Sequence, residues 1–181
     1  AEFLGYLTKK FKTIAIAGTH GKTTTAAIVT HLFYKTRQSF TAFVGGVLNE
    51  FNSNVIINGN KYAIVEADEY DRSFLNLNPS MGIITSIDSD HLDIYGNFEE
   101  VKKSFSEFIK KIKNEVVVSK NLGINGITYG VNKKADYSAN NISFSKTGYF
   151  FDLTTPSNTY KSVFFSQLGL HNLLNAIGAF A

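Results

Sequence analysis

The run Gly18-Thr19-His20-Gly21-Lys22-Thr23-Thr24 gathers the residue types needed to hold a phosphate chain. Glycines let backbone N–H groups approach anionic oxygens, and a helix starting at the same point adds the positive end of its dipole. In that geometry the Lys22 ammonium reaches β- and γ-phosphates, and the Thr23 hydroxyl serves Mg²⁺. The general pattern G-x-x-x-x-G-K-[ST] asks for an outer glycine where this chain has Ile16. The bland alternative is a glycine-containing turn with an incidental lysine. It must explain why a buried-strand pattern over 13–17 precedes the run, and why Ala26, Ala27, Ile28, Val29, Leu32 and Phe33 follow at helical spacing.

A second group is Glu66-Ala67-Asp68-Glu69-Tyr70-Asp71, four carboxylates at the end of an apolar run. Strand ends in a parallel sheet are where ligand chemistry collects, and a carboxylate there can hold Mg²⁺ or activate a nucleophile. Glu66, closest to the strand, is the expected ligand; Asp68, Glu69 and Asp71 read equally well as a solvated acidic loop. A third group is Asp88-Ser89-Asp90-His91-Leu92-Asp93. His91 reads equally as a surface or packed residue and as a ligand, and its imidazole suits a softer ion than Mg²⁺. A fourth is Gly169-Leu170-His171-Asn172-Leu173-Leu174-Asn175, where polar residues open an apolar helix and Asn172 could be a plain N-cap. His31, outside all four groups, reads as structural.

These residues need a scaffold, and the apolar pattern supplies one. Short strand-like runs occur at 13–17, 41–44, 55–57, 62–65, 82–85 and 116–118, with Asn58-Gly59-Asn60-Lys61 expected to close a hairpin between the third and fourth. A helix is expected after Asn97, with Glu100 at the capping-box position. Val101, Phe105, Phe108, Ile109 and Ile112 would form its buried stripe, and Lys110, Lys111 and Lys113 would lie at its C-terminal end. This alternation predicts a three-layer α/β domain with a mainly parallel sheet over 13–130. From 135 to 166 aromatic residues alternate with Asn, Ser, Thr and Lys, which predicts a separate, small antiparallel sheet. A helix is expected from His171 onward.

Composition narrows the possibilities. The 181 residues include no Cys, so disulfides, thiolate metal sites and a Cys nucleophile are excluded. Hydrophobic residues make up 44% and charged ones 18%, enough for a core and too little charge for a disordered chain. A net charge of +3 suits an anionic ligand and does not describe a nucleic-acid surface. No window approaches the ~18 apolar residues of a membrane span, and the first residues lack a signal-peptide core, so a cytoplasmic protein without a membrane partner is expected. The absent initiator Met and the closing helix suggest a piece of a longer protein.

Taken as a set and in this order, the four motifs, with Ser73-Phe74-Leu75, resemble the Mur ligase family across 1–181. The short phosphate loop without the outer glycine is that family's own form. The resemblance implies an ATP-dependent ligase built of three domains, of which this is the central one, with N- and C-terminal domains of the same parent chain as its partners. It implies that ATP phosphorylates the lactyl carboxylate of UDP-N-acetylmuramate and that the amine of L-alanine attacks the acyl phosphate. Carried over by residue, Lys22 contacts the phosphates, Thr23 and Glu66 hold the first Mg²⁺, and His91 serves a second metal site that could take Mn²⁺. Asn172 and Asn175 match positions near adenine with His171 beside them, and His20 faces the acyl-phosphate side. A family member that recycles murein tripeptide onto UDP-N-acetylmuramate shares much of the wording, while a folate polyglutamating ligase fits the acidic run poorly. A nucleotide-binding module without ligase chemistry would need the loop but not Glu66 and His91 together.

Overall fold

The computed structural model describes residues 2–90 and 92–181. Helix α1 (Glu2–Thr8) precedes β1 (Lys12–Ala17), α2 (Lys22–Lys35), β2 (Phe40–Leu48), β3 (Ser53–Asn58), β4 (Tyr62–Ala67) and β5 (Met81–Ile84). The short α3 (Leu92–Tyr95) leads into α4 (Phe98–Lys111), β6 (Glu115–Ser119) and β7 (Ile127–Val131). The chain ends in β8 (Tyr137–Ser145), β9 (Gly148–Thr154), β10 (Thr159–Phe165) and α5 (Leu170–Phe180). Among the described residues no helix is long and apolar enough to cross a membrane.

The strands form one sheet in the order β10-β9-β8-β7-β6-β5-β1-β4-β2-β3. Every pairing from β2 through β4, β1, β5, β6 and β7 to β8 is parallel. The mainly parallel α/β architecture expected from the apolar rhythm is therefore present. Two expectations need correction. Residues 55–57 and 62–65 do not form a hairpin: β3 pairs antiparallel with β2, and β4 inserts between β2 and β1. Burial explains the choice. In β4, Ala63, Ile64 and Val65 are almost fully buried and need a neighbour on each side, whereas β3 buries only Ile56 and tolerates an edge. The loop between them crosses the start of β2, where Asn60 N–H donates to Ser39 Oγ and Tyr62 N–H to Ser39 O.

The second correction concerns 135–166. Its strands pair antiparallel with one another, as expected, but they are not a separate sheet. β8 lies parallel to β7, with Tyr129 opposite Tyr137. That pairing covers the edge β7 would otherwise leave open, and Tyr149, Phe151 and Leu153 pack into the same core as Leu173 and Ile177 of α5.

Side-chain alternation along β1 divides the core into two layers. Ile14 and Ile16 face the layer that holds Val29 of α2 and Leu173 and Ile177 of α5. Ala15 and Ala17 face the other, built on Val101, Phe105 and Phe108 of α4 with Phe74 stacked on Phe108 at 4.7 Å. The expected cap on α4 is present, with Glu100 N–H donating to Asn97 Oδ1 at 3.0 Å; losing it would cost about 1 kcal/mol. These two helical layers hold the C-terminal ends of β1, β4 and β5 rigidly side by side.

Candidate active site

Ile16 is fully buried and the strand continues to Ala17, so no glycine is needed at the outer position. The chain leaves the sheet at Gly18, with φ +144°, where a Cβ would collide with Thr85 Oγ1. It enters α2 at Gly21, with φ +83°, where a Cβ would strike the Asn175 amide. Only glycine fits either place. The loop between them is stitched to the end of β5. Thr19 N–H donates to Ser86 O at 3.1 Å, His20 N–H to Ser86 Oγ at 2.9 Å, and the Thr85 hydroxyl donates to His20 O at 2.6 Å. Asp88 N–H closes the contact on Thr19 Oγ1 at 2.9 Å.

At the start of α2 two side chains project toward the end of β4. Thr23 donates its hydroxyl to Glu66 Oε1 at 2.7 Å, and Gly45 N–H donates to Glu66 Oε2 at 2.6 Å. Lys22 Nζ donates to Gly18 O at 2.8 Å and reaches both oxygens of Glu69, at 2.8 and 3.0 Å. Thr23 is exposed and Glu66 half-buried, whereas Glu69 is only 1% exposed. The pair of hard oxygens on Thr23 and Glu66 suits Mg²⁺, which takes one or two protein ligands and completes its shell with water and phosphate. Among the described residues no group of three His, Asp or Glu side chains could cage an ion by itself.

The structure sorts the remaining expected residues. Asn175 is buried against Gly21, so α5 is tied to the phosphate loop. Asn172 is not an N-cap: Gly169 holds that place, and Asn172 Nδ2 donates to Leu168 O at 2.7 Å from inside the first turn. With Thr23 and Thr24 it borders a cavity of about 930 Å³ between α2, the end of β2, β10 and α5, walled by Leu48, Phe165 and Ile177. His171 is exposed and folds back against Gly169, outside that wall. His20 is exposed, with Nε2 3.7 Å from Asp88 Oδ2. His91 lies outside the described residues. Asp68 and Asp71 hold their own turn, accepting from the N–H groups of Tyr70 and Ser73. His31 sits on α2 with Nδ1 2.7 Å from Glu50 Oε2, fastening the β2–β3 turn to the helix. That contact and Lys35 hold the Glu50 carboxyl below its ordinary range.

The residue that sequence reasoning left open is Glu69. The acidic run flagged it, but only the fold shows that it turns inward to Lys22 while its neighbours face solvent.

The chain has counterparts among known proteins. Residues 16–181 match the model of the Mur ligase middle domain. A UDP-N-acetylmuramate--L-alanine ligase from Christiangramia forsetii is 50% identical over the whole chain, which covers 40% of that protein. Among solved structures, a UDP-N-acetylmuramate-alanine ligase from Thermotoga maritima superposes with a TM-score of 0.85 at 29% identity, covering 98% of this chain and 42% of that one. A UDP-N-acetylmuramate:L-alanyl-gamma-D-glutamyl-meso-diaminopimelate ligase from Neisseria meningitides gives a TM-score of 0.83 at 20% identity, covering 98% of this chain and 63% of that one, a likeness of fold alone. The chain thus spans about two fifths of the length of the curated relatives it matches. A loop that dispenses with the outer glycine, a glutamate paired to its threonine and a family match over nearly the whole length lead to one conclusion: this chain belongs to the Mur ligase family, as its middle domain.

Proposed function

We propose that this chain is the ATP-binding middle domain of an enzyme that joins L-alanine to the lactyl carboxylate of UDP-N-acetylmuramate, in peptidoglycan precursor synthesis. The observation that carries the reading is the Thr23–Glu66 contact at 2.7 Å beside Lys22, a hydroxyl and a carboxylate held together at the mouth of a phosphate-binding loop. The 50% identity to a relative with that substrate pair supports the choice of L-alanine over murein tripeptide.

In this reading the backbone of 18–22 and the dipole of α2 receive the phosphates of ATP. Lys22 places its charge on the β- and γ-phosphates, while Thr23 and Glu66 offer their oxygens to Mg²⁺. When bound, Mg²⁺ supplies charge neutralisation on the phosphate oxygens, which lets a substrate carboxylate approach them. Asn172 and Asn175 place α5 beside the nucleotide, with His171 at the outer rim and His20 toward the reacting carboxylate. His91 would serve a second, weaker metal site for which Mn²⁺ is the better ion. The N- and C-terminal domains of the parent chain would bring the UDP group and the amino acid. An ATP-consuming step of this kind belongs in the cytoplasm, and no nucleic acid or membrane enters it.

Phosphate release by the longer protein that carries this domain tests the reading. Release from ATP should require both UDP-N-acetylmuramate and L-alanine. Release with tripeptide but not alanine would make the recycling ligase correct, and binding of nucleotide without any release would favour a regulatory module.

A further inference from the structure

Lys22 is better restrained than a phosphate-binding lysine needs to be. Its ammonium has three N–H donors, and three acceptors lie within 3.0 Å: Gly18 O and both oxygens of Glu69. The side chains are 14% and 2% exposed, so solvent does little to screen the pair. Glu69 is itself held from behind. The Tyr95 hydroxyl donates to Glu69 O, the Tyr95 ring is buried, and Arg72 lies over that ring at 5.2 Å while its guanidinium stays 3.7 Å from Glu100. Tyr95 thus fixes the backbone of Glu69, and the carboxylate itself is kept inward by its burial and by Lys22. Burial also pushes the Tyr95 hydroxyl above its ordinary range, which keeps it a donor.

This arrangement has two consequences for an incoming phosphate. A donor becomes available to it only when Lys22 gives up one of these three contacts. The negative carboxylate remains about as close to the ammonium as the phosphate will be, so part of the attraction is cancelled. In return, the ammonium is fixed on two sides at one place over the loop, and its position at the transferring phosphoryl group is set before nucleotide arrives.

We propose that Glu69 is a positioning residue for the phosphate-binding lysine: its buried carboxylate, carried on a backbone that Tyr95 fixes, holds Lys22 in register and thereby lowers nucleotide affinity while raising turnover. The proposal rests on the nucleotide-site reading above.

The test is a split between binding and rate in the longer protein. Glu69→Gln keeps the size of the side chain and removes its charge. MgATP should bind about fivefold more tightly, because an opposing charge has gone. The turnover number should fall about ten- to a hundredfold, because Lys22 is no longer held in place. A glutamate that served only folding would, when replaced, weaken both, so weaker or unchanged binding overturns the proposal, as does unchanged turnover. Should Glu69→Gln not fold, Tyr95→Phe carries the test. It removes only the hydroxyl behind Glu69, so affinity should stay within about twofold while turnover falls about fivefold; wild-type turnover there also overturns the proposal. Failure of the unaltered protein to bind MgATP would contradict the nucleotide site itself, whereas normal binding with both variants indistinguishable from it would contradict only the role of Glu69.

Discussion

Glu66 at the end of β4 and Asp152 in the middle of β9 are both carboxylates that receive a backbone N–H, yet they do different work. Glu66 is met by one backbone amide and one hydroxyl, both neutral, and it lies beside the glycine turn that opens α2. Asp152 is met by the Lys161 ammonium, the Asn141 amide and Ser162 N–H, at 2.8, 2.8 and 3.2 Å. Asn141 and Ser162 each lie at a register break, in β8 and β10 respectively, and both have left-handed backbones. Asp152 thus fastens two bulges from the strand between them, and the Lys161 contact above all pulls its carboxyl down to about 2. The difference teaches how to separate the two classes. A carboxylate saturated by charge and amides inside the sheet holds the fold, whereas one tied only to neutral donors beside an anion-binding loop can still take a cation.

The comparison breaks most visibly at Lys22. Lys22→Ala should remove detectable ATP binding, a loss of about a hundredfold or more, since the charge on the β- and γ-phosphates disappears; titration calorimetry giving unaltered affinity would defeat the assignment. A smaller and more selective effect is expected at the metals. His91→Ala should leave nucleotide affinity within about twofold yet remove most turnover of the longer protein, the outcome expected of the proposed second ion if it is needed only once the substrate carboxylate arrives. Glu66→Ala should damage both, and equal losses of affinity in the two variants would show the metal roles to be wrongly divided.

Asp152→Asn gives the smallest effect and the sharpest contrast, since it should lower thermal stability without altering nucleotide affinity. Its pH dependence has a definite sign. The folded carboxyl lies near 2 against an ordinary 3.8, so the unfolded chain binds the proton first. The stabilisation is then full above about pH 5 and is lost as pH falls through the folded value. Melting curves of the protein and the variant should therefore differ above pH 5 and converge toward pH 2. A gap that widens as the pH falls would contradict this account of the bulges.

Legibility in the sequence followed the range of the interactions. The strand–turn–helix that carries residues 18–24 was readable because strand, glycines, lysine and helix are consecutive, and the place of Glu66 at a strand end because it closes an apolar run. The partner of Lys22 was not, since Glu69 lies 47 residues away and its inward turn depends on the 73–76 turn and Tyr95. Asn58-Gly59 signalled a reversal correctly but could not say which strand would lie beside β4; that was decided by burial on both sides of a fully apolar strand. β7 escaped notice because Gly130 interrupts a mixed run of only five residues, and without it 135–166 looked detached from the main sheet. Helix α1 was equally faint: its Gly5 is a poor helix former, kept where a Cβ would collide with the Asn76 carbonyl.

Thr23 and Glu66 are proposed to act together on a cation that accompanies the nucleotide. Calorimetric titration of ADP into the protein and into Glu66→Gln, each with Mg²⁺ and with chelator, tests this most directly. The unaltered protein should bind ADP about tenfold more tightly with Mg²⁺ than without it, and Glu66→Gln should bind equally in both conditions. An undiminished Mg²⁺ effect in Glu66→Gln would contradict the assignment of the metal to this pair.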